Sequence, residues 1–212
     1  MYTGIVQGRC DVVAAERDGA LTTLSVDLGQ LAPGLESGGS VAINGVCLTA
    51  VEICEPIAMF HLVQETTNLT NLGELASGDR VNVERSFRVG DEVGGHVLSG
   101  HVSCTARVTA IETAKGLASM SVSVPSPWCN YLMHKGFVAL DGASLTIAEL
   151  DRDAETATVK LIPETLVRAG FEDRVVGDRL NLEVDFRTQA VVDTVRELLR
   201  DRALLREIAG QL

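Results

Sequence analysis

The chain has 212 residues, 46% of them hydrophobic and 22% charged, a composition typical of a globular protein. Its formal net charge of −11 argues against binding to nucleic acid or to an anionic membrane surface, because both attract basic patches. No apolar run approaches the ~18 residues of a membrane span, and the N-terminus lacks the basic start and apolar stretch of a signal peptide, so we expect neither.

Short runs rich in Val, Leu, Ile and Thr, separated by Gly, Asn, Asp and Pro, predict strands along the chain. In the first half they cover residues 23–28, 40–43, 47–53 and 80–84. The second half repeats the pattern at residues 106–112, 118–124, 137–140, 144–150, 157–162 and 179–184. About six short strands in roughly ninety residues favour a small closed barrel, which leaves no exposed sheet edge.

The two halves are copies of one unit. Residues 38–53 align without a gap with residues 135–150, and seven of the sixteen positions are identical. "GDRVNVE" at 78–84 matches "GDRLNLE" at 177–183, and "TGIV" at 3–6 matches "SGHV" at 99–102. Such blocks in one order, at offsets of 96 to 99, indicate a duplicated domain, since the units of solenoid proteins are much shorter.

The tail after the second copy differs from both copies. It has no Gly or Pro until position 210 and carries Val191, Val195, Leu198 and Leu205 at helical spacing, which predicts an amphipathic helix with Thr188 as its N-cap. We expect the apolar stripe to meet other chains. Packing against its own barrel is the alternative.

The five cysteines, at positions 10, 47, 54, 104 and 129, include no C-x-x-C pair. Their odd number and spacing favour reduced thiols in the cytoplasm over a disulfide framework or a zinc site.

The phrases "MYTGIVQG", "NGVCLT", "TNLGEL", "GGHVLSGHV", "KGFVALDGASLT", "LIPETL" and "TQAVVDTV" together resemble the riboflavin synthase family along the whole chain. The resemblance implies an all-β fold with a C-terminal α-helix: two tandem, duplicated, closed six-stranded barrels of the Greek-key, flavin-reductase-like type. The implied boundaries are 1–97 and 98–187 for the lumazine-binding barrels and 188–212 for a helix that joins three chains.

The reaction implied by the resemblance is the dismutation of 6,7-dimethyl-8-ribityllumazine. One molecule gives four carbons to another, and the products are riboflavin and 5-amino-6-(ribitylamino)uracil. The family uses no metal and no redox cofactor, and places its active sites between the chains of a homotrimer. An association with lumazine synthase also follows from the resemblance, whereas nucleic acid and membrane are not expected as partners.

A dismutation needs two copies of one ligand that react differently. We therefore expect residues that the two halves share to bind the ligand, and polar residues that differ to catalyse. The differing pairs are Ser40 against Phe137, Cys47 against Ser144, His101 against Ile5, and Asp185 against Ser86.

The family resemblance makes Cys47 either a nucleophile that adds to the ring or a hydrogen-bond partner of it, although a lone strand cysteine is usually a buried hydrophobe. His101 suits removal of a proton from the acidic methyl group. Ser40, Ser144 and Asp185 complete the predicted catalytic set. His96 is interpreted as structural, and the four other cysteines are interpreted as packing.

The family pattern also predicts the walls of the ligand sites. Lys135 would stabilise the electron-rich lumazine and its anion. The expected substrate-binding residues are Gly4, Ile5, Val6, Cys47, Leu48, Thr49, His61, Leu62, Val63, Gln64, Glu65, Thr66, Gly100, His101, Val102, Lys135, Ser144, Leu145, Thr146, Lys160, Leu161, Ile162, Pro163, Glu164 and Thr165.

Two other functions fit part of the sequence. Non-catalytic relatives hold lumazine or flavin as a fluorophore, but they erode the second copy and lose the final helix, both of which this chain keeps. A β-barrel binding module for unrelated small ligands would explain the repeat but not the specific phrases.

Overall fold

The computed structural model describes residues 1–114 and 116–200. The first barrel contains β1 (Gly8–Asp18), β2 (Leu21–Asp27), β3 (Ser40–Ile43), β4 (Val46–Cys54), β5 (Ile57–Val63), α1 (Gln64–Leu69) and β6 (Arg80–Arg85). The second contains β7 (Cys104–Ala114), β8 (Leu117–Ser123), β9 (Phe137–Leu140), β10 (Ala143–Asp151), β11 (Thr156–Leu161), α2 (Pro163–Arg168) and β12 (Arg179–Val184). A helix, α3 (Phe186–Arg200), follows. No helix within the described residues is long and apolar enough to cross a membrane.

Both barrels are closed, antiparallel and built in the same strand order. In the first, the neighbours around the barrel are β1, β2, β5, β4, β3 and β6; in the second they are β7, β8, β11, β10, β9 and β12. The register shifts also recur at matching places, after Val12 in β1 and after Val108 in β7. The duplication and the two closed barrels predicted from the sequence are confirmed.

Alternating burial along the strands gives each barrel its own core. In β5, for example, Ala58, Phe60 and Leu62 face inward and are at most 1% exposed. Met120 and Ile147 occupy the second core in the same way. Each fully buried side chain of this size contributes about 1.5–3 kcal/mol, so each barrel has a hydrophobic core that contributes strongly to its stability.

Two tight hairpins bring the barrels together. Asn44–Gly45 joins β3 to β4, Asp141–Gly142 joins β9 to β10, and all four residues have positive φ, as type I′ turns require. A Cβ atom on Gly45 would lie 2.7 Å from the Gly142 nitrogen, so the turns contact each other through bare backbone. Glycine is therefore needed at these positions both for the turn and for the contact between barrels.

Buried amides and one carboxylate surround this contact. The Asn71 amide nitrogen donates to Asp141, and Asn181 donates to the Asn44 carbonyl and to Asn71, over 2.8–2.9 Å. Arg174 pairs with Asp141 at 2.7 Å. Burial raises the pKa of Asp141 to about 6, although Arg174 opposes the shift. These bonds specify one arrangement of the two barrels, because a buried polar group left unpaired costs about 1–3 kcal/mol.

The C-terminal helix packs on the second barrel through one face. The Tyr131 hydroxyl donates to Asp193 over 2.6 Å, and the Arg196 guanidinium lies 5.0 Å above the Tyr131 ring. Val192 contacts the second core, whereas Val191 and Val195 are exposed. One face of the helix thus packs on its own barrel, as the alternative interpretation expected, while another face presents exposed apolar residues.

The start of this helix differs from the prediction. Phe186 is its first residue, two positions before Thr188, so Thr188 lies in the first turn and is not the N-cap. The Asp185 carboxylate accepts from the Thr188 hydroxyl at 3.1 Å and from the Arg187 amide at 3.3 Å. A carboxylate at this end of a helix is stabilised by the helix dipole. Leu205, the last member of the predicted stripe, lies outside the described residues.

Candidate active site

Each barrel is preceded by a short segment that packs on the opposite barrel. We call residues 3–6 and 99–102 the crossing segments. Val6 leads into the first barrel but is buried in the core of the second, and Val102 leads into the second barrel but packs against the core of the first. Each barrel is therefore completed by chain that belongs to the other copy.

Backbone hydrogen bonds fix the crossing segments in place. The Gly4 carbonyl accepts from the Ser144 amide on β10 at 2.8 Å, and the Gly100 carbonyl accepts from the Cys47 amide on β4 at 2.9 Å. A Cβ atom on either glycine would lie 2.5 Å from the Cβ of the facing residue. Only glycine lets the backbone approach this closely.

Two equivalent surfaces result. We call the first site the surface made by β4, the end of β5, α1 and residues 99–102, and the second site its counterpart made by β10, β11, α2 and residues 3–6. The first site collects the predicted residues Cys47, Leu48, Thr49, His61, Leu62, Val63, Gln64, Glu65, Thr66, Gly100, His101 and Val102. The second collects Gly4, Ile5, Val6, Ser144, Leu145, Thr146, Lys160, Leu161, Ile162, Pro163, Glu164 and Thr165.

Not all of these side chains face outward. Leu48, Leu62, Leu145 and Leu161 are buried in the barrel cores, so they can offer a ligand only their backbone. Thr49 and Thr146 are exposed at matching positions of β4 and β10. The shared threonines thus remain suited to polar contact with a ligand.

The first difference between the sites lies beside the threonines. Ser40 is paired with Thr49 in the β3–β4 ladder, whereas Phe137 takes that place opposite Thr146 in the β9–β10 ladder. Directly opposite residues in a ladder have neighbouring side chains. One site therefore has a hydroxyl where the other has an aromatic ring.

Cys47 is half-buried in the first site and has a specific partner. The Tyr2 hydroxyl donates a 3.0 Å hydrogen bond to its Sγ atom. Tyr2 is 1% exposed, and burial, followed by the bond to Cys47, raises its pKa. The tyrosine therefore stays protonated and keeps the proton that it donates to Cys47, which holds the sulfur in place.

Ser144 occupies the matching position in the second site and has a different partner. Its Oγ atom accepts from the His96 amide at 3.2 Å and lies 2.6 Å from His96 Nδ1. The His96 ring is buried and stacks on Phe137 with centroids 4.9 Å apart. Burial lowers the pKa of His96 to about 4, so the ring is neutral at physiological pH.

The direction of the bond between Ser144 and His96 is set by which ring nitrogen carries the proton. Ser144 Oγ also accepts from the His96 backbone amide, so both the side chain and the backbone of His96 hold this hydroxyl. Nε2 is buried and has no hydrogen-bond partner among the described residues. His96, interpreted from the sequence as structural, is therefore in direct contact with a predicted catalytic residue.

His101 lies at a cleft beside the second barrel. A cavity of about 280 Å³ is lined by His101, Ser99, Phe186 and Gln189, among others. The His101 side chain is exposed, and its amide donates to the Ser99 hydroxyl at 3.1 Å. This placement leaves the imidazole free for proton transfer.

Lys135 and Cys54 have simpler surroundings. Lys135 is exposed and has a φ of 63°, and its amide donates to the Ile147 carbonyl at 2.9 Å. Cys54 is exposed, so its interpretation as a packing residue is wrong, whereas Cys10, Cys104 and Cys129 are buried as expected. Across residues 1–114 and 116–200, no three His, Cys, Asp or Glu side chains are grouped to hold a metal ion.

Two buried carboxylates were missed from the sequence. Glu84 on β6 and Glu183 on β12 are each 4% exposed and bind the two crossing segments. Burial raises the pKa of both, and the hydrogen bonds that they accept oppose the shift. Both are the last residue of a repeated block, "GDRVNVE" or "GDRLNLE". A glutamate shared by the two copies in an otherwise apolar strand could have marked them from the sequence.

Comparison with known proteins agrees with the duplication. The lumazine binding domain family matches this chain twice, at residues 3–86 and 99–185. The chain is 44% identical to the riboflavin synthase of Escherichia coli (strain K12) over 95% of both chains. It is 39% identical to that of Chlamydia pneumoniae, over 94% of this chain and 97% of the relative.

A solved structure shares the fold. LumP, crystallised in complex with riboflavin, superposes with a TM-score of 0.80 at 21% identity, over 87% of this chain and all of the LumP chain. Two barrels of this kind, each matched by the same family, define a protein with duplicated lumazine-binding domains. At the identity and coverage found for the enzymes, the chain belongs to the riboflavin synthase family.

Proposed function

We propose that this protein is a riboflavin synthase that converts two molecules of 6,7-dimethyl-8-ribityllumazine to riboflavin and 5-amino-6-(ribitylamino)uracil. Four carbons leave one lumazine and complete the new ring of the other. The two products together contain the atoms of the two substrates, so the reaction needs no further reactant. The observation that carries the proposal is the pair of sites with shared threonines but different polar groups at positions 47 and 144.

The shared parts would bind one lumazine at each site. Exposed threonines, backbone groups of the crossing segments and the polar residues after β5 and β11 suit the carbonyl, ring-nitrogen and ribityl hydroxyl groups of the ligand. Lys135 would stabilise negative charge on the ring. All the substrate-binding residues predicted from the sequence are proposed to line these two sites.

The differing parts would make one lumazine react unlike the other. His101 would accept the proton from the acidic methyl group, and Cys47 would add to the ring or donate a hydrogen bond to it. Ser144 would act at the other ring, with its hydroxyl oriented by His96. Ser40 and Asp185 complete the set. Since the sites differ at these positions, donor and acceptor can be distinguished.

We also propose an assembly. Val191, Val195 and Leu198 of α3 are exposed on the face of the helix that its own barrel leaves free, and they would join three chains. The active site would then form between the first site of one chain and the second site of another. Residues 1–97, 98–187 and 188–212 would be the two binding units and the trimerisation helix.

The same proposal assigns a cytoplasmic location and an association with lumazine synthase, the enzyme that would supply the substrate. The five free cysteines support the first part. The second part rests on the resemblance to the riboflavin synthase family alone.

The test is direct. Purified protein is mixed with 6,7-dimethyl-8-ribityllumazine, and riboflavin is followed by its fluorescence and quantified by chromatography. We expect one riboflavin for every two lumazines consumed. Tight binding of the lumazine without any riboflavin formed would identify a fluorophore carrier instead, and no binding would reject both functions.

A further inference from the structure

Glu84 and Glu183 make the same three hydrogen bonds in the two halves of the molecule. One oxygen of Glu84 accepts from the Thr3 amide at 2.6 Å and from the Thr3 hydroxyl at 2.8 Å, and the other accepts from the Gly4 amide at 3.0 Å. The geometry around Glu183 repeats this, with Ser99 and Gly100 as donors at 2.7, 2.8 and 3.1 Å.

The position of these carboxylates connects one barrel to the site of the other. Glu183 lies on β12 of the second barrel and holds Gly100, whose carbonyl receives the Cys47 amide of the first site. Glu84 lies on β6 of the first barrel and holds Gly4, whose carbonyl receives the Ser144 amide of the second site. Each glutamate is therefore linked through one glycine to a residue of the opposite barrel's site: Glu183 to Cys47, and Glu84 to Ser144.

We propose that Glu84 and Glu183 are positioning residues, each of which fixes the crossing segment that completes the ligand site of the opposite barrel. The inference rests on the proposed function for its effect on turnover, and on the contacts alone for its effect on the structure. Neither acid is among the residues predicted to bind or to catalyse. Each contacts a crossing segment, and Glu183 also lines the cavity beside His101.

Glu183 has an additional link to the proposed chemistry. The Ser99 hydroxyl donates to Glu183 and accepts from the amide of His101 at 3.1 Å. A carboxylate, a hydroxyl and a backbone amide therefore form a continuous chain that ends at the residue proposed to remove the proton. Loss of the carboxylate would release His101 as well as Gly100, whereas Glu84 controls no such residue.

Glutamine is the informative replacement because it keeps the shape of the side chain. A carboxylate presents two accepting oxygens to three donors, whereas an amide presents one oxygen and one NH₂ group. In either variant one donor would face another, and a buried donor without an acceptor costs about 1–3 kcal/mol. The segment should therefore shift or open locally while the barrel stays folded.

The experiment compares Glu183→Gln with Glu84→Gln in the full chain. Amide hydrogen exchange is measured by NMR at Gly100 and Cys47, which report on the first site, and at Gly4 and Ser144, which report on the second. In Glu183→Gln we expect exchange at least about tenfold faster at Gly100 and Cys47, which corresponds to ~1.4 kcal/mol of local opening, and little change at the other pair. In Glu84→Gln the pattern should be reversed.

Binding and turnover supply the second readout. Riboflavin is titrated while the amide signals of Thr49 and Thr146 are followed, one for each site. In Glu183→Gln the riboflavin Kd read from the Thr49 signal should rise about tenfold, whereas the Kd read from Thr146 should stay unchanged. Glu183→Gln should also lower kcat more than Glu84→Gln does, because only Glu183 is linked to His101. Ser99→Ala, which removes one donor and keeps the acid, should show a weaker form of the same effects.

The outcomes separate this inference from the proposed function. The inference is wrong if Glu183→Gln speeds exchange at Gly4 and Ser144 instead of Gly100 and Cys47. It is also wrong if either variant speeds exchange equally at both pairs. If exchange crosses as expected but the unmodified protein makes no riboflavin, the positioning role stands and the enzymatic proposal fails. Should Glu183→Gln not fold, Ser99→Ala must still show faster exchange at Cys47, and unchanged exchange there would overturn the inference.

Discussion

His96 Nδ1 lies 2.6 Å from Ser144 Oγ, whereas Cys47, at the position that matches Ser144 in the first copy, is bonded by Tyr2. The duplicated strands thus differ in their partners as well as in their own residues. A phenol donates to the sulfur in one half, and an imidazole nitrogen shares a hydrogen bond with the hydroxyl in the other. The two halves therefore differ at positions 47 and 144 and also in the residues that contact these positions, Tyr2 and His96.

Replacement of the thiol tests its chemical role. Cys47→Ser should lower turnover about tenfold or more, a loss of at least ~1.4 kcal/mol of transition-state stabilisation, while riboflavin affinity changes much less. The serine at the matching position 144 indicates that the strand tolerates the change. Cys54→Ser, at an exposed cysteine, is the matched control. Equal turnover in both variants would return Cys47 to a packing role.

The buried imidazole predicts a pH dependence of stability. Burial lowers the pKa of His96 to about 4 from 6.5, so the unfolded chain takes up a proton at a higher pH than the folded one. The stability conferred by the neutral ring is present above pH 6.5 and is lost as the pH falls toward 4, by up to about 3 kcal/mol.

Urea unfolding between pH 4 and 7.5 measures this dependence. His96→Gln should be less stable at pH 7.5, because Ser144 loses its partner, and should show a flatter profile. His134→Gln changes an exposed histidine and should leave the profile as it is. A profile that is equally steep in His96→Gln would show that other groups are responsible.

The glycine contact between the barrels predicts a selective loss of stability. Gly45→Ala combines a φ of 80° with a Cβ atom 2.7 Å from the Gly142 nitrogen. Gly38→Ala has the same kind of backbone, with a φ of 87°, but nothing within 4 Å of the added atom. We expect about 1 kcal/mol of destabilisation from the backbone alone in Gly38→Ala and a larger loss in Gly45→Ala, measured by thermal unfolding. Equal losses would mean that the barrels can move apart at no cost.

The exposed stripe on α3 predicts a change in assembly. Val195→Glu places a charge in the proposed contact, and light scattering should show a species smaller than a trimer, with lower activity. Thr194→Glu changes the neighbouring exposed residue outside the stripe and is the matched control. A Val195→Glu protein of reduced mass that keeps full activity would refute a site between chains.

The duplication, the approximate number of strands and most of the strands themselves could be predicted, because repeated phrases and apolar alternation are visible in the sequence. Two strands of the first barrel, β1 and β5, were not among the runs identified. Alternating apolar residues and the Asn-Gly and Asp-Gly pairs determine where strands and hairpins form. The start of α3 was misjudged because Thr188 and Asp185 both suit a helix end. The choice depends on where β12 ends at Val184, and only the folded barrel decides that.

The candidate residues were predicted more completely than their arrangement. Cys47 and Ser144 could be found from the mismatch between the copies, but nothing local shows that residues 3–6 belong to the second barrel. For the same reason Glu84 was overlooked, and His96 was interpreted as structural alone. Their partners, Thr3 and Ser144, lie 81 and 48 positions away, and burial decides whether such distant groups meet.

The exchange of crossing segments also bears on how such a chain arose. Suppose that a single barrel with one N-terminal arm paired symmetrically with its twin, each arm lying on the other's barrel. Joining the two genes end to end would produce the present connectivity, with the second arm preserved as residues 99–102. In that ancestral pair every change would have appeared on both sides at once. Fusion would have removed this constraint, so that one half could carry a sulfur at position 47 and the other a hydroxyl at position 144.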